Sequence, residues 1–422
     1  MVFPSHASAD LPSKTIAKAV RTGKFRVGRE APHPEFPQQT GDRYDSSHSR
    51  SLDLFLFLEI FEREGGIQSY VQELLHSYLV WSRLKNCSAD IFLLRDQVGE
   101  NPFQSEHLQF RYFKTRFSLL SRVRLAIALC LHLLYHRPQR VFCGHVHLAP
   151  LVWLLCKPLG IPYIVMTHGK EVWEPLPQLS QIALRQADQI WTVSRYSRDQ
   201  AAASNRLDRA KIQLLPCPVD GDRFRLGDKS PALVEKYQLA NATVILTVAR
   251  LWSGDIYKGV DVTIRALPAI AQAFPNVKYL VIGRGDDQPR LAKLAIDLGM
   301  GDRVIFAGFV PTVDLADHYR LADAYVMPSQ EGFGIVYLEA MACGIPVMSG
   351  DADGSADPLQ DGKLGWHVPH RDPAAVAAAC VEMLQAQEKG DRRGEGDWLR
   401  SQTLQHFGQA AFRQRLQHLL SF

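Results

Sequence analysis

The chain has 422 residues, of which 46% are hydrophobic and 22% charged, a composition typical of a soluble globular protein that excludes disorder throughout. This length exceeds one ordinary hydrophobic core, so we expect two domains with a cleft between them. The formal net charge is +4, but the first 29 residues carry six Lys or Arg against one Asp. The remainder is close to neutral, which excludes nucleic-acid binding through a broadly basic body.

The seven cysteines are scattered without a Cys-x-x-Cys pair, which is typical of small apolar residues in a reducing cytoplasm. Basic and histidine side chains such as Arg122, Arg124 and Lys157 interrupt the longest apolar runs, so we predict no membrane-spanning helix. No apolar segment precedes a small-residue cleavage site near the N-terminus, so we expect no secretory signal and a cytoplasmic protein.

Residues 1–50 are rich in Ser, His, Pro and Arg and lack periodicity, which predicts a disordered N-terminal extension, with an organelle transit peptide as the alternative. From Leu52 onward, short apolar runs alternate with amphipathic helical patterns, as in βαβ units. They predict a Rossmann-like N-terminal domain over residues 51–225. Its strands are expected near 52–60, 90–95, 140–143, 162–167 and 189–193.

A second series of the same kind predicts another Rossmann-like domain over residues 226–390, so the fold class is α/β with two doubly wound units. Its strands are expected near 243–249, 278–283, 303–308, 323–327, 346–349 and 365–368. Residues 391–422 begin in a charged, glycine-rich stretch and continue as a helical pattern. We expect this last helix to pack against one of the two domains.

Two turns in the first series are candidate ligand contacts. Gly65-Gly66 follows the first strand and precedes a helix predicted from Ile67 to Tyr78, so the backbone there can approach a ligand closely. His168 ends a later strand at the edge facing the second domain, where its imidazole can hydrogen-bond to a sugar hydroxyl. A simple turn and a structural histidine are the alternatives.

The segment Glu331-Gly-Phe-Gly-Ile-Val-Tyr-Leu-Glu339 follows a buried strand and leads through Gly332, Phe333 and Gly334 into a helix that begins at Ile335. The free N–H groups and dipole of a helix N-terminus favour an anion, which predicts phosphate binding here. Glu331 lies in the loop at the mouth of that site. Glu339 lies about one turn into the helix, where it can accept hydrogen bonds from a ribose diol. Solvated glutamates are the alternative.

Two cations lie at the carboxyl edge of the second predicted sheet, where ligands of doubly wound folds bind. Arg250 ends the first strand of this domain, and Lys258 precedes Gly259 at the start of the next helix. Together they can hold a diphosphate leaving group that gains negative charge as its bond to a sugar breaks. Ile282-Gly-Arg-Gly285 lacks the full dinucleotide fingerprint, which argues against a dinucleotide cofactor.

On these residues the chain from 52 to 422 resembles the GT-B fold glycosyltransferases of the large retaining family four. The most specific match is the Glu-x7-Glu motif from Glu331 to Glu339, inside the run from Pro328 to Val347. The resemblance implies two Rossmann-like domains that face each other across a cleft. It also implies a final helix, 403–420, that crosses back to the N-terminal domain.

The resemblance further implies a role for each matching residue. Arg250, Lys258 and the Gly65-Gly66 loop would contact the donor diphosphate, and Glu339 the donor ribose. Glu331 would contact the transferred sugar, and His168 would lie beside that sugar and assist catalysis. Main chain around Val310 would contact the base. The chain departs from the family pattern at three places. Cys217-Pro-Val-Asp220 replaces the usual Asn-Gly-Val-Asp, the segment between Arg250 and Lys258 is longer, and Asp353-Gly-Ser-Ala-Asp357 replaces a glycine pair and a later glutamate.

The sequence therefore predicts a retaining transfer of sugar from a nucleoside diphosphate donor to an acceptor hydroxyl, in polysaccharide, lipopolysaccharide or glycolipid synthesis. No metal or other cofactor is expected. Asp351-Ala-Asp353 has the Asp-x-Asp spacing of a metal pair, but it falls in the late glycine loop. A sugar-nucleotide epimerase, a glycoside phosphorylase and a non-catalytic partner subunit remain alternatives on the same fold. Residues 110–124 contain five cations, four aromatics and no acid, which favours an anionic membrane surface or a solvated cationic helix face.

Overall fold

The computed structural model describes residues 51–62, 65–351 and 353–421, so the predicted N-terminal extension 1–50 lies outside the described residues. Residues 49 to 422 form one compact unit, built from two α/β domains. The N-terminal domain has a seven-stranded parallel sheet in the order β3-β2-β1-β4-β5-β6-β7. Its strands are β1 Leu52–Phe57, β2 Ser88–Leu93, β3 Leu108–Tyr112, β4 Arg140–Cys143, β5 Tyr163–Thr167, β6 Gln189–Thr192 and β7 Ile212–Leu214.

The C-terminal domain has a six-stranded parallel sheet in the order β10-β9-β8-β11-β12-β13. In both sheets the strand order reverses beside the first strand, between β1 and β4 and between β8 and β11, and ligands of doubly wound folds bind at such switch points. The strands are β8 Thr243–Val248, β9 Val277–Ile282, β10 Val304–Gly308, β11 Ala324–Met327, β12 Val347–Gly350 and β13 Trp366–Val368.

Helices cover both faces of each sheet, so the central strands are buried on both sides. In β1, for example, Phe55 and Phe57 pack into one core cluster while Leu54 and Leu56 pack into the other. The helices are α1 Gly66–Lys85, α2 Ser118–His136, α3 Ala149–Leu159, α4 Gln178–Gln186, α5 Arg195–Asn205, α6 Pro231–Lys236, α7 Val260–Ala273, α8 Gln288–Asp297, α9 Leu315–Tyr319, α10 Ile335–Ala342, α11 Pro373–Leu384, α12 Gly396–Phe407 and α13 Gln409–Leu420.

Every strand predicted from the apolar runs is present, and two further strands were missed. In β3 the alternation is weak because Gln109 and Arg111 are exposed on an edge strand, and β7 has only three residues. The predicted domain limits at residues 225 and 390 fall between helices and strands and stay predictions.

The C-terminal segment crosses back to the N-terminal domain, as the resemblance implies, but as two helices rather than one. Gly408 separates α12 from α13, and the Val219 N–H donates to the Phe407 carbonyl at 2.8 Å in this region. Helix α13 then packs on α1, where Phe412 lies edge-on to Tyr70 with ring centroids 5.9 Å apart. Arg140 donates to the Leu420 carbonyl at 2.7 Å and anchors the end of the chain to the first sheet.

Residues 110–124 do not lie on one helix: they span the end of β3, a loop and the start of α2. The expectation that basic residues break every apolar run was also too strict. By length and composition alone, helix α2 is apolar enough to cross a membrane. Only 28% of its most apolar window is buried in the protein. Its inner face packs on the first sheet through Leu125, Leu129 and Leu133, as expected of a crossover helix between β3 and β4.

Candidate active site

The predicted site residues come from the carboxyl edges of both sheets. His168 follows β5, Arg250 follows β8, and Glu331 follows β11. Because β8 and β11 are neighbours at the switch point of the second sheet, the loops that carry Arg250 and Glu331 meet there. The edge of the first sheet lies opposite, so His168 faces the same cleft.

Lys258 and Glu331 form an ion pair in this cleft. The Lys258 ammonium donates to the Glu331 carboxylate, and both side chains are about five-sixths buried, at 16% and 15% exposed. Burial lowers the pKa of Lys258, but the Glu331 carboxylate and the Tyr257 hydroxyl together more than offset this effect, so the pKa is raised. Lys258 is therefore a fixed, fully charged cation at the switch point.

Arg250 lies more openly than Lys258. Its guanidinium donates to Asp255 at 3.1 Å and its side chain is 67% exposed. Arg250 and Lys258 line the same small cavity, together with Asp255 and residues of α7 and α8. The longer segment between them is ordered by Ser253, whose N–H and hydroxyl donate to the Asp286 carboxylate at 2.8 Å.

The N-terminus of α10 points into the cleft without a side-chain cap. Gly334 occupies the N-cap position with φ 91°, a left-handed conformation that favours glycine, and a Cβ there would lie 2.4 Å from the Tyr337 ring. The Tyr337 N–H donates to the Gly334 carbonyl at 3.1 Å, which leaves the N–H groups at the very start of α10 as the ones that could bind an anion, and phosphate binding there stays a prediction. Phe333 beside them is buried and fixes the turn.

Glu339 is more buried than the sequence implied, at 8% exposed. Its carboxylate accepts a hydrogen bond from the Tyr319 hydroxyl at 2.7 Å. Burial raises its pKa to about 7, although Tyr319 and Arg223 act in the opposite direction. Glu339 thus has one oxygen held by Tyr319, and its charge depends on pH near neutrality.

His168 is oriented by main chain. Its Nε2 lies 2.9 Å from the Gly144 carbonyl, and because a carbonyl only accepts, Nε2 carries the proton. In the neutral tautomer with the proton on Nε2, the Nδ1 atom is an acceptor. The ring lies edge-on to Tyr70, with centroids 5.6 Å apart, which fixes its plane.

The glycines of the N-terminal domain approach the second domain closely. A Cβ added at Gly66 would lie 3.9 Å from the Ile335 side chain, so the Gly65-Gly66 turn faces the N-terminus of α10. A Cβ at Gly169 would lie 2.8 Å from the Gly332 Cα. The structure thus brings the glycine turn, the His168 strand end and the Glu331 loop together.

Val310, the predicted base contact, is buried just after β10. The neighbouring Phe309 ring is 49% exposed and lies under the Arg284 guanidinium, at 4.8 Å from the ring centroid. Asp353, considered in the sequence as half of a metal pair, is engaged with main chain: it accepts hydrogen bonds from the N–H groups of Glu331 and Ser355. Burial raises its pKa to about 6. Within the described ranges, no group of three His, Cys, Asp or Glu side chains has metal-binding geometry.

Sequence reasoning missed several residues of the cleft. His145 lies beside His168, with ring centroids 6.1 Å apart, and Lys170 reaches across to the Tyr257 ring at 3.0 Å. Burial and the neighbouring His168 lower the pKa of His145 to about 3, so its ring is neutral. The sequence Gly144-His-Val-His147 directly after a predicted strand was the available signal for His145.

Two glycosyltransferase family models match the chain. The model of the family Glycosyltransferase Family 4 matches residues 65–223, and that of Glycosyl transferases group 1 matches residues 242–386. A GDP-mannose-dependent alpha-(1-6)-phosphatidylinositol monomannoside mannosyltransferase of Mycolicibacterium smegmatis is 32% identical over 341 residues, covering 76% of this chain and 86% of the relative.

Two further similarities extend the comparison. A D-inositol 3-phosphate glycosyltransferase of Mycobacteroides abscessus is 32% identical over 260 residues, 57% of each chain. The solved structure of Anabaena Alr3699/HepE in complex with UDP and glucose has a TM-score of 0.67 to this chain at 20% sequence identity. That likeness covers 87% of this chain and 99% of the other, and it shows the shared fold.

Proposed function

This chain belongs to glycosyltransferase family 4, and from that premise we propose that it transfers a sugar from a nucleoside diphosphate donor to a hydroxyl of a membrane glycolipid. The transfer retains the anomeric configuration and uses no metal ion. The observation that carries this proposal is the Lys258–Glu331 pair at the switch point beside the uncapped N-terminus of α10. It offers a cation and free N–H groups for a diphosphate, next to a carboxylate for sugar hydroxyls.

In this reaction the bond between the sugar C1 and the diphosphate oxygen breaks, and a new bond forms between C1 and the acceptor oxygen. Negative charge develops on the departing diphosphate, where Lys258, Arg250 and the N–H groups of α10 stabilise it. The acceptor attacks from the face that the diphosphate leaves, and its proton passes to a phosphate oxygen. Retention follows because bond formation and cleavage occur on the same face.

The proposal needs no metal because these cations supply the charge that a divalent ion would otherwise contribute. His168 offers Nδ1 as an acceptor for a hydroxyl of the transferred sugar, since its Nε2 is occupied by the Gly144 carbonyl. Glu331 holds other hydroxyls of that sugar, Glu339 holds the ribose, and main chain at Val310 contacts the base.

The names of the two relatives guide the choice of donor and acceptor. One is dependent on GDP-mannose and acts on a phosphatidylinositol mannoside, and the other is a D-inositol 3-phosphate glycosyltransferase. We therefore propose GDP-mannose as the first donor to test and an inositol-containing glycolipid as the first acceptor. A polysaccharide or lipopolysaccharide acceptor is the alternative.

The outer face of α2 supports a membrane-bound acceptor. Five apolar side chains spaced three or four residues apart are each about half exposed on it, which is one continuous stripe on a helix. These are Leu120, Val123, Ile127, Leu131 and Leu134. Three exposed arginines, Arg116, Arg122 and Arg124, lie at the amino-terminal end of the stripe, and no acid lies between residues 110 and 136.

An apolar stripe with basic residues at one end fits an anionic bilayer surface, with apolar side chains among the acyl chains and arginines at the headgroups. Because the inner face of α2 is packed on the sheet, the helix lies along such a surface instead of crossing it. We propose that the protein is cytoplasmic and peripheral on the inner face of the membrane.

The test is incubation of the protein with radiolabelled UDP-, GDP- and ADP-sugars, with and without vesicles that contain phosphatidylinositol and its mannosides. A labelled lipid and released nucleoside diphosphate support the proposal. A sugar nucleotide with inverted configuration identifies an epimerase. A sugar phosphate formed from the glycolipid and inorganic phosphate, with no sugar nucleotide consumed, identifies a phosphorylase. No binding and no turnover of any donor identifies a non-catalytic relative.

A further inference from the structure

The N-terminus of α5, in the first domain, contacts the main chain of the Glu331 loop in the second domain. Ser194, at the N-cap of α5, donates its hydroxyl to the Gly332 carbonyl at 2.6 Å, and the Ser197 hydroxyl lies 3.2 Å from the same oxygen. Both serines are fully buried. Two hydroxyls of one domain therefore converge on a single carbonyl of the other.

Arg195, between these serines, binds a second segment of the C-terminal domain. Its backbone N–H donates to the Asp357 carboxylate at 2.7 Å, and its guanidinium donates to Asp357 and, at 2.7 Å, to Asp361. Main-chain and side-chain contacts from one residue thus hold two acids. The Asp357 side chain is 11% exposed, so this contact is largely shielded from water.

The two segments contacted from α5 are joined to each other around Glu331. The Gly354 N–H donates to the Glu331 carbonyl at 2.9 Å, while the Glu331 N–H donates to the Asp353 carboxylate. The peptide groups on both sides of Glu331 are therefore fixed by the segment that Arg195 holds. A displacement of the Asp357 segment would therefore displace Glu331, whose carboxylate we assign to the transferred sugar.

Glycines allow the domains to approach this closely. A Cβ at Gly354 would lie 2.8 Å from the Ser194 hydroxyl of the N-terminal domain, and also 2.0 Å from the Gly332 carbonyl of its own domain. A Cβ at Gly332 would lie 2.7 Å from the His168 carbonyl. Backbone therefore meets backbone between Gly332 and His168, at the part of the interface where the α5 contacts also lie.

We propose that Ser194, Arg195 and Ser197 form an interdomain clasp that positions Glu331 for the donor sugar when the cleft closes. The three are positioning residues, since they contact the loop and not the reacting atoms. The Arg195 side chain is 45% exposed and Asp361 is 62% exposed, so water can replace these contacts when the domains separate. The contacts of Arg195 can therefore order the Glu331 loop when the domains are together and be lost when they separate.

The clasp rests on the proposed function, and it separates binding of the nucleotide from positioning of the residue that contacts the sugar. The nucleoside diphosphate binds to the C-terminal domain through Arg250, Lys258, Glu339 and the N–H groups of α10, none of which the clasp residues contact directly. The transferred sugar needs Glu331, which the clasp holds. Loss of the clasp should therefore reduce turnover of the intact donor and leave affinity for the nucleoside diphosphate alone unchanged.

The test compares Arg195→Ala with Arg198→Ala. Arg198 lies three residues further along α5, and its guanidinium pairs with Asp199 inside the same domain, so this variant is the matched control. For Arg195→Ala we expect kcat/KM for the intact donor to fall about tenfold, in line with loss of a few partly exposed charge-assisted contacts. We also expect faster hydrogen exchange of the Glu331 and Gly354 amides and an unchanged Kd for GDP or UDP. Arg198→Ala should match the wild type in all three.

A double-mutant cycle with Asp357→Asn sharpens the result, because residues that act together are not additive. The double variant should lose no more than either single variant. Equal behaviour of Arg195→Ala and Arg198→Ala, or fully additive losses from Arg195→Ala and Asp357→Asn, would overturn the clasp. Hydrogen exchange requires no turnover, so a wild-type protein that turns over no donor would refute the proposed function and leave the clasp to be judged by the exchange data.

Discussion

Lys258 donates a hydrogen bond to the carboxylate of Glu331, and this pair joins the loops that follow β8 and β11 at the switch point of the second sheet. The two side chains are largely buried, so removal of either would leave the other without its partner in the cleft. A cation and a carboxylate that face one cleft are suited to a donor with an anionic diphosphate and a neutral sugar.

Replacement of Lys258 by alanine should abolish donor turnover while the fold is kept. We expect a loss of at least about 100-fold in kcat/KM, because the leaving diphosphate loses its most buried cation. The measurement is steady-state kinetics with the preferred sugar nucleotide, with circular dichroism to verify folding. Lys293→Ala is the control, since Lys293 is 74% exposed and pairs only with Asp297 on α8. Near-normal activity of Lys258→Ala would contradict the assignment.

Replacement of Glu331 by glutamine, which keeps the size of the side chain, should reduce kcat more than it reduces nucleotide affinity. The glutamine amide cannot accept hydrogen bonds at both terminal atoms, so contacts with the transferred sugar are lost. Kinetics on the intact donor, together with calorimetric titration of the nucleoside diphosphate alone, separates the two effects. If the variant loses nucleotide affinity and keeps kcat, Glu331 contacts the diphosphate and not the transferred sugar.

Donor affinity should fall as the pH decreases through neutrality. Burial raises the pKa of Glu339 to about 7, so the carboxylate that accepts from the ribose diol becomes protonated below that pH. The folded form holds this proton more tightly than a free glutamate does, so affinity is full above pH 7 and decreases about tenfold per pH unit below it. Titration with an intact sugar nucleotide at pH 6 to 8 measures this, because its diphosphate has no ionisation in that range.

Glu339→Gln is the control for that pH dependence. The affinity of this variant for the sugar nucleotide should be lower than that of the wild type at pH 8. It should be nearly constant from pH 6 to pH 8, because the Glu339 carboxyl is gone. If the wild type binds equally well at pH 6 and pH 8, or if the variant keeps the slope, Glu339 does not bind the donor as an ionised carboxylate.

The outer face of α2 should direct binding to anionic vesicles. Basic residues near an anionic leaflet contribute ~1 kcal/mol each, so Arg122→Gln combined with Arg124→Gln should weaken vesicle binding roughly 30-fold. Replacement of Leu120 and Ile127 by serine should weaken it further, through loss of apolar contact with the acyl chains. Flotation with vesicles of phosphatidylcholine and phosphatidylinositol at low salt provides the measurement.

Leu154→Ser is the matched control for the vesicle experiment, because Leu154 is 60% exposed on α3, outside the stripe. It should bind as the wild type does. If the wild-type protein stays in the soluble fraction at low salt, the protein does not bind anionic membranes. If the α2 variants bind as well as the wild type does, the membrane-binding surface is not the outer face of α2.

The sequence predicts the sheets well because strands buried on both faces are continuous apolar runs, as in β1 and β8. It fails at β3, where Arg111 and Gln109 face solvent at the sheet edge and the run of apolar residues is broken. It fails again at the chain end, where Gly408 divides one helical pattern into two helices.

The site was predictable where a motif is local and unpredictable where contacts are distant. Glu331, Gly334 and Glu339 lie within one turn and helix, so their spacing in sequence fixes their spacing in space. The contact of Ser194 with Gly332 joins residues 138 positions apart, and no local pattern marks it. The raised pKa of Glu339 likewise comes from the depth at which its carboxylate is buried, which sequence spacing does not give.

The most direct test of the central claim is the configuration of the product. Proton NMR of the glycolipid formed from an α-configured sugar nucleotide, with wild-type protein and with Glu331→Gln, reports the anomeric outcome and the role of the site in one experiment. The account predicts an α-linked product from the wild type and little or none from the variant. A β-linked product, or equal product from both proteins, would contradict it.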